Sequence, residues 1–132
     1  MDDLAARLKE VPTADRVEVQ IRLLANAYLQ YACENFNRWH NVFEPTSLEN
    51  DNLPAWYRQK IESVFAPIEN LFKQLKPQSS SEEASLAARS LWCGVHGVCV
   101  LSLNGSLGRA GVVNTENAVS LLVDHFLQGW KL

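Results

Sequence analysis

Apolar positions recur at helical spacing along most of the chain. Leu4, Leu8 and Val11 make a short amphipathic stretch at the start, of a length that rarely holds a helix unaided. Val17, Ile21, Leu24, Ala25, Tyr28, Ala32 and Phe36 fall on one helical face and predict a helix from about Ala14 to Asn35. Asp15 sits in its first turn, where a negative charge suits the helix dipole. Trp39, Val42 and Phe43 belong to a short helix from Asn37 to Glu44 that Pro45 ends. The next stretch, PTSLENDN, has no period and reads as a loop. From Pro54 a stripe of Tyr57, Ile61, Val64, Phe65, Ile68, Leu71, Phe72 and Leu75 runs to about Lys76. Pro67 removes one backbone hydrogen bond inside that stripe and predicts a kink near Ser63 to Pro67.

Pro77-Gln78-Ser79-Ser80-Ser81 is a linker, and Ser80 with Glu83 three residues later has the pattern of a capping box. The helix that follows, from about Ser81 to Asn104, carries no Asp, Glu, Lys or Arg between Ser90 and Gly108, although 20% of the chain is charged. That contrast predicts a central helix surrounded by protein on most sides. The glycines of residues 105–111 predict a turn-rich loop. Asn114 or Thr115 can cap a last helix whose broad apolar face holds Val119, Leu122, Val123, Phe126, Leu127 and Trp130. With no strand pattern in sight, the fold class is all-α, a bundle of about five helices forming one domain over residues 1–132.

Composition narrows the function classes. At 47% apolar residues and a net charge of −3 the chain has the make-up of a soluble globular domain. Its basic residues are scattered singly, with no glycine-rich phosphate loop, so direct nucleic-acid binding is not expected. Three cysteines and an acidic start, Met1-Asp2-Asp3, point to a reducing cytoplasm without a disulfide framework. The uncharged run is broken by Ser90, His96, Ser102 and Asn104 and reads as a buried helix, not a membrane span.

Catalytic and metal chemistry find little footing. Cys93, His96 and Cys99 form Cys-x-x-His-x-x-Cys, but each three-residue step on a helix turns the side chain by about 60°, splaying the two thiols; packed cysteines and a hydrogen-bonded histidine are the better reading. The residues three before His40, His96 and His125 are Asn37, Cys93 and Leu122, which excludes the Glu-x-x-His pairs of di-iron bundles. No Gly-x-Ser-x-Gly is present, so neither an enzyme nor a cofactor is expected. What remains is aromatic: Tyr28, Tyr31, Trp39, Phe43, Trp56, Phe65 and Trp92. Such residues either fill a core or, joined by tyrosine hydroxyls and His96, line a small-molecule cavity.

Trp92, His96 and Gly97 form Trp-x-x-x-His-Gly, followed by Leu101. Trp92 and His96 share a helix face, and Gly97 would let another helix come close. This pattern resembles the penultimate helix in a branch of the tetracycline-repressor (TetR) family of transcription regulators, named for those three residues. Ala27-Tyr28 with Tyr31-Ala32, then Glu34-Asn35 and Phe43, are similar to an earlier helix of the same branch.

The resemblance covers the whole chain and implies the C-terminal effector-binding and dimerisation domain. It implies a homodimer in which the last two helices form a four-helix interface, with Val119, Leu122, Val123, Phe126 and Trp130 in it. It also implies an effector pocket, placed at Tyr28, Tyr31, Trp39, Phe43, Phe65, Trp92 and His96, for a small, mostly apolar molecule. Nothing here resembles a helix-turn-helix, so DNA contact is expected only through an N-terminal domain outside this chain. The chain then reads as the sensor part of a regulator. The alternative is a free-standing, head-less helical dimer acting as a protein-interaction module.

Overall fold

The computed structural model describes residues 2–35, 54–111 and 114–132. Helix α1 spans Asp2–Lys9, α2 Val17–Glu34, α3 Ala55–Leu75, α4 Ser81–Leu103, α5 Ser106–Arg109 and α6 Thr115–Trp130. No strand occurs among the described residues. The short helix predicted from Asn37 to Glu44, with Trp39 and Phe43, lies outside them.

Local chemistry explains most boundaries. Helix α2 begins at Val17, later than the period suggests, because Arg16 is in extended backbone and the Ala14 N–H donates to Gln20 Oε1 at 2.6 Å. Glu18 therefore takes the first-turn place expected for Asp15, and its own backbone N–H holds its carboxyl below the usual range. Helix α3 runs unbroken through Pro67, which is exposed, as is Ser63 one turn earlier; water can take the bond that proline cannot make. Residues 105–111, expected as a loop, hold the single turn α5 between Gly105 at φ +81° and Gly111 at φ +89°. Both glycines sit in the left-handed region that other residues avoid. Asn114 caps α6 by accepting from the Asn117 N–H at 3.0 Å.

The linker before α4 ends in the capping box its sequence predicts. Ser80 Oγ accepts from the Glu83 N–H, and Glu83 Oε1 accepts from the Ser80 N–H, each at 3.0 Å. Ser80→Ala should lower stability by about 1 kcal/mol, read from urea denaturation. The Ser80 backbone bond also holds the Glu83 carboxyl below its ordinary range. A carboxyl lowered in the folded state stabilises above its unfolded pKa, and that contribution is lost as the pH falls through the folded value. The difference in melting temperature between the natural chain and Glu83→Gln should therefore shrink as the pH falls below the ordinary glutamate pKa of about 4.3; a difference that stays constant down into the acid range would contradict the assignment.

Helix α4 is the hub, packed against α2, α3, α5 and α6. Its inner face is Ala84, Ala87, Ala88, Leu91, Val95 and Cys99, and the three alanines let neighbouring helices come close. Burial pushes the Cys99 thiol up to about 12, so it stays un-ionised and packs as a small apolar group. By length and composition α4 could cross a membrane; here it is the central helix of a bundle.

The expectation that the uncharged run from Ser90 is covered on most sides holds only in part within the chain. Leu86 is 69% and Leu101 44% exposed, and Ser90 and Cys93 between them are exposed as well. An absence of charge marks a helix that avoids charge on every side. It does not show which sides its own chain covers.

Helix α6 is fastened at its C-terminal end to α3. The Phe72 ring meets Phe126 and Trp130 edge-on, with centroids 6.0 and 5.6 Å away, and the Trp130 indole N–H donates to the Phe72 carbonyl at 3.0 Å. On the α2 side, Arg22 pairs with Asp124 at 2.5 Å. That pair is half-exposed and contributes little beside the apolar packing.

Candidate functional site

A cavity of about 390 Å³ lies among α1, α2, α3 and α4. Each helix gives it residues from its apolar stripe: Leu4 and Leu8 from α1, Ile21, Leu24, Ala25 and Tyr28 from α2, Ile61, Val64, Phe65 and Ile68 from α3, and Leu91, Trp92, Cys93 and Val95 from α4. Its walls are almost wholly apolar, and its size falls in the range of small-molecule sites.

One side of the cavity is an aromatic chain running across three helices. Phe65 meets Trp92 edge-on with centroids 5.8 Å apart. Trp92 stacks on His96 at 5.0 Å, as residues one turn apart on α4 can. Tyr28 closes the group, edge-on to Trp92 at 6.5 Å, with its hydroxyl 2.8 Å from His96 Nδ1. His96 therefore stands behind the wall and partners the tyrosine hydroxyl, leaving the apolar face of that ring to the chamber.

Of the seven residues expected at a pocket, Tyr28, Phe65 and Trp92 line the cavity. His96 touches it through Tyr28. Tyr31 is not among the lining residues; it is buried in the core three positions further along α2. Trp39 and Phe43 lie outside the described residues. Trp56, another of the aromatics, is 60% exposed beside Lys60.

The sequence reading missed α1 as a wall, and it missed Arg89. Arg89 is among the lining residues, and its guanidinium lies 4.7 Å from the centre of the Phe65 ring and bonds Glu62 and Glu69 of α3. A signal for it was present: Glu62, Phe65 and Glu69 share one face of α3 at spacings of three and four, a cradle for a cation.

The cysteine-histidine pattern does not converge. Cys93 is exposed, Cys99 is buried in the core, and His96 is turned to Tyr28. No group of three or more His, Cys, Asp or Glu side chains gathers to hold a metal ion among the described residues.

The residues expected at a dimer interface face mainly inward. Val119 and Val123 are 0% exposed within the chain itself, so they offer no surface to a partner. Leu122, Phe126 and Trp130 are half-buried and pack against the same core. The outward apolar residue of α6 is Leu121, 62% exposed. The two glycines of α4 differ within the chain. A Cβ on Gly94 would lie 2.9 Å from Leu122, whereas one on Gly97 would meet nothing within 4 Å; Gly94 is the point of close helix approach inside the chain.

Fold and cavity together define a helical bundle built around an apolar chamber, the architecture of a small-molecule-binding domain. Residues 21–126 match the family described as "Tetracyclin repressor-like, C-terminal domain", and the chain belongs to that family. Domains of this family are the ligand-binding and dimerisation parts of regulators, which are typically soluble and generally not enzymes. Among solved structures, one titled "Structure of a protein with unknown function from Rhodococcus sp. RHA1" is similar in fold, with a TM-score of 0.75 at 16% identity, over 96% of this chain and 65% of that one. The chain thus spans just under two-thirds of that protein's length. No curated protein matches it.

Proposed function

We propose that this chain is the effector-sensing and dimerisation domain of a TetR-like transcriptional regulator, in which a small, mostly apolar molecule occupies the cavity beside Tyr28, Phe65 and Trp92. The observation that carries this reading is the chamber itself: four helices contribute apolar residues around a space of about 390 Å³ where a core would close-pack. Two copies pair through the outer faces of α4 and α6, where Leu86, Leu101 and Leu121 are exposed and Gly97 leaves room for an approaching helix. Burying these leucines in a twofold interface removes apolar surface from water.

Helix α1 is the element through which occupancy reaches a DNA-binding head outside this chain. Leu4 is 1% exposed and Leu4 and Leu8 both line the cavity, so filling the chamber acts on the docking of α1. For such coupling the ligand must bind the two arrangements with different affinity.

A thermal-shift panel of compact uncharged aromatic and alkyl compounds tests the reading, followed by Trp92→Ala on any that stabilise. Trp92→Ala should weaken binding by about tenfold or more and leave dimerisation nearly unchanged. Equal losses in both, or no loss of binding, would remove the pocket from Trp92. A flat panel together with a tight protein partner would favour the interaction module instead, for which the exposed leucines would serve equally well.

A further inference from the structure

Among the described residues lining the cavity, Arg89 is the one ionised side chain, and its charge is already engaged. Nη1 donates to Glu69 Oε1 and, at 2.5 Å, to Ser85 Oγ; Nη2 donates to Glu62 Oε1 at 3.3 Å. One face of the guanidinium lies over Phe65. Glu62 and Glu69 are two turns apart on α3 with Phe65 between them, so a single helix face grips the cation from both sides. One guanidinium and two carboxylates leave the cluster with an excess of one negative charge.

We infer that this cluster is a charge filter: the site takes a neutral apolar ligand and discriminates against a carboxylate of the same shape. The inference rests on the effector-pocket reading above and adds to it the ligand's charge class. A carboxylate entering the chamber gives up its water among apolar walls. Arg89 is the cation in the described lining able to offset that loss, but both N–H groups of Nη1 and one of Nη2 are already given to Glu69, Ser85 and Glu62, so a carboxylate would have to bind beside two carboxylates that already outweigh its charge. Both glutamates then repel the newcomer. A neutral ligand of the same skeleton meets neither cost and gains the faces of Phe65 and Trp92.

The test is calorimetric titration with two probes, 1-naphthalenemethanol and 1-naphthoate, against the natural chain, Trp92→Ala and the double variant Glu62→Gln with Glu69→Gln. A cavity of about 150 Å³ already admits benzene, so a two-ring skeleton fits this one. The natural chain should bind the alcohol at least about tenfold more tightly than the carboxylate. The double variant should raise carboxylate affinity by about tenfold or more and leave that of the alcohol within about twofold. Both glutamates stand at the edge of the fold, with side chains 68% and 26% exposed, so the variant should retain its helical signal. Equal binding of the two probes, or an unchanged ratio in the variant while Trp92→Ala still weakens the alcohol, would overturn the filter and leave the pocket standing. Failure of both probes to bind any of the three proteins would overturn the pocket and the filter together.

Discussion

Replacing Phe72 with alanine should lower the unfolding free energy by about 3–5 kcal/mol, a large share of what holds a domain of this size together. Phe72 is 0% exposed and is where α3 and α6 are joined. Its ring meets the edges of Phe126 and Trp130, and each such aromatic pair adds about 0.5–1.5 kcal/mol beyond the area it buries. Truncation leaves a cavity between two helices that are also tied there by the Trp130 indole bond to the Phe72 carbonyl, so the site cannot collapse freely. Thermal unfolding followed by circular dichroism should show a fall of roughly 10–20 °C. Gln74→Ala, at an exposed position on the same helix, serves as the reference and should stay within about 0.5 kcal/mol of the natural chain. Both comparisons require equal protein concentration, because association shifts apparent stability. A Phe72 variant as stable as the Gln74 one would mean that the α3–α6 junction is packed differently.

Changing Leu101 and Leu121 together to aspartate should convert a homodimer into a folded monomer, weakening association by about a hundredfold or more. Both side chains point away from the core of their own chain, at 44% and 62% exposure. Aspartate costs the isolated fold little at such positions, whereas an interface would have to bury four unpaired charges. Light scattering at micromolar concentration reads the mass, and circular dichroism shows that the helices remain. Val123→Asp gives the contrast: Val123 is wholly buried, so that variant should unfold and not merely dissociate. A natural chain that is monomeric under these conditions removes the dimer. A double variant that stays dimeric moves the interface to another face.

Element by element, much of the fold is legible in the residues. The stripe after Pro54 is α3, Ser80 and Glu83 make the capping box, Asn114 caps α6, and Trp92 with His96 share a face because they are one turn apart. These features are local. They depend on spacing along the chain and on which side chains can satisfy a helix end. The aromatic residues are partly legible too: Tyr28, Phe65 and Trp92 meet at the cavity, while Tyr31, on the same helix as Tyr28, is packed into the core away from it. Composition cannot separate those two fates, since a pocket wall and a core wall use the same residue types.

By itself, the sequence determined the all-helical class, the caps at Ser80 and Asn114, and a resemblance to the family. Which part of the broad apolar faces of α4 and α6 turns inward was decided by the tertiary structure alone. It put Val119 and Val123 inside and Leu121 outside, made Gly94 and not Gly97 the point of contact, brought Leu4 and Leu8 of α1 against the cavity, and carried Glu62 and Glu69 to Arg89. The reason is physical: helical period says which residues share a face, but where a helix is apolar on two sides the face that is buried is chosen by the neighbours it packs against, and those neighbours come from distant parts of the chain.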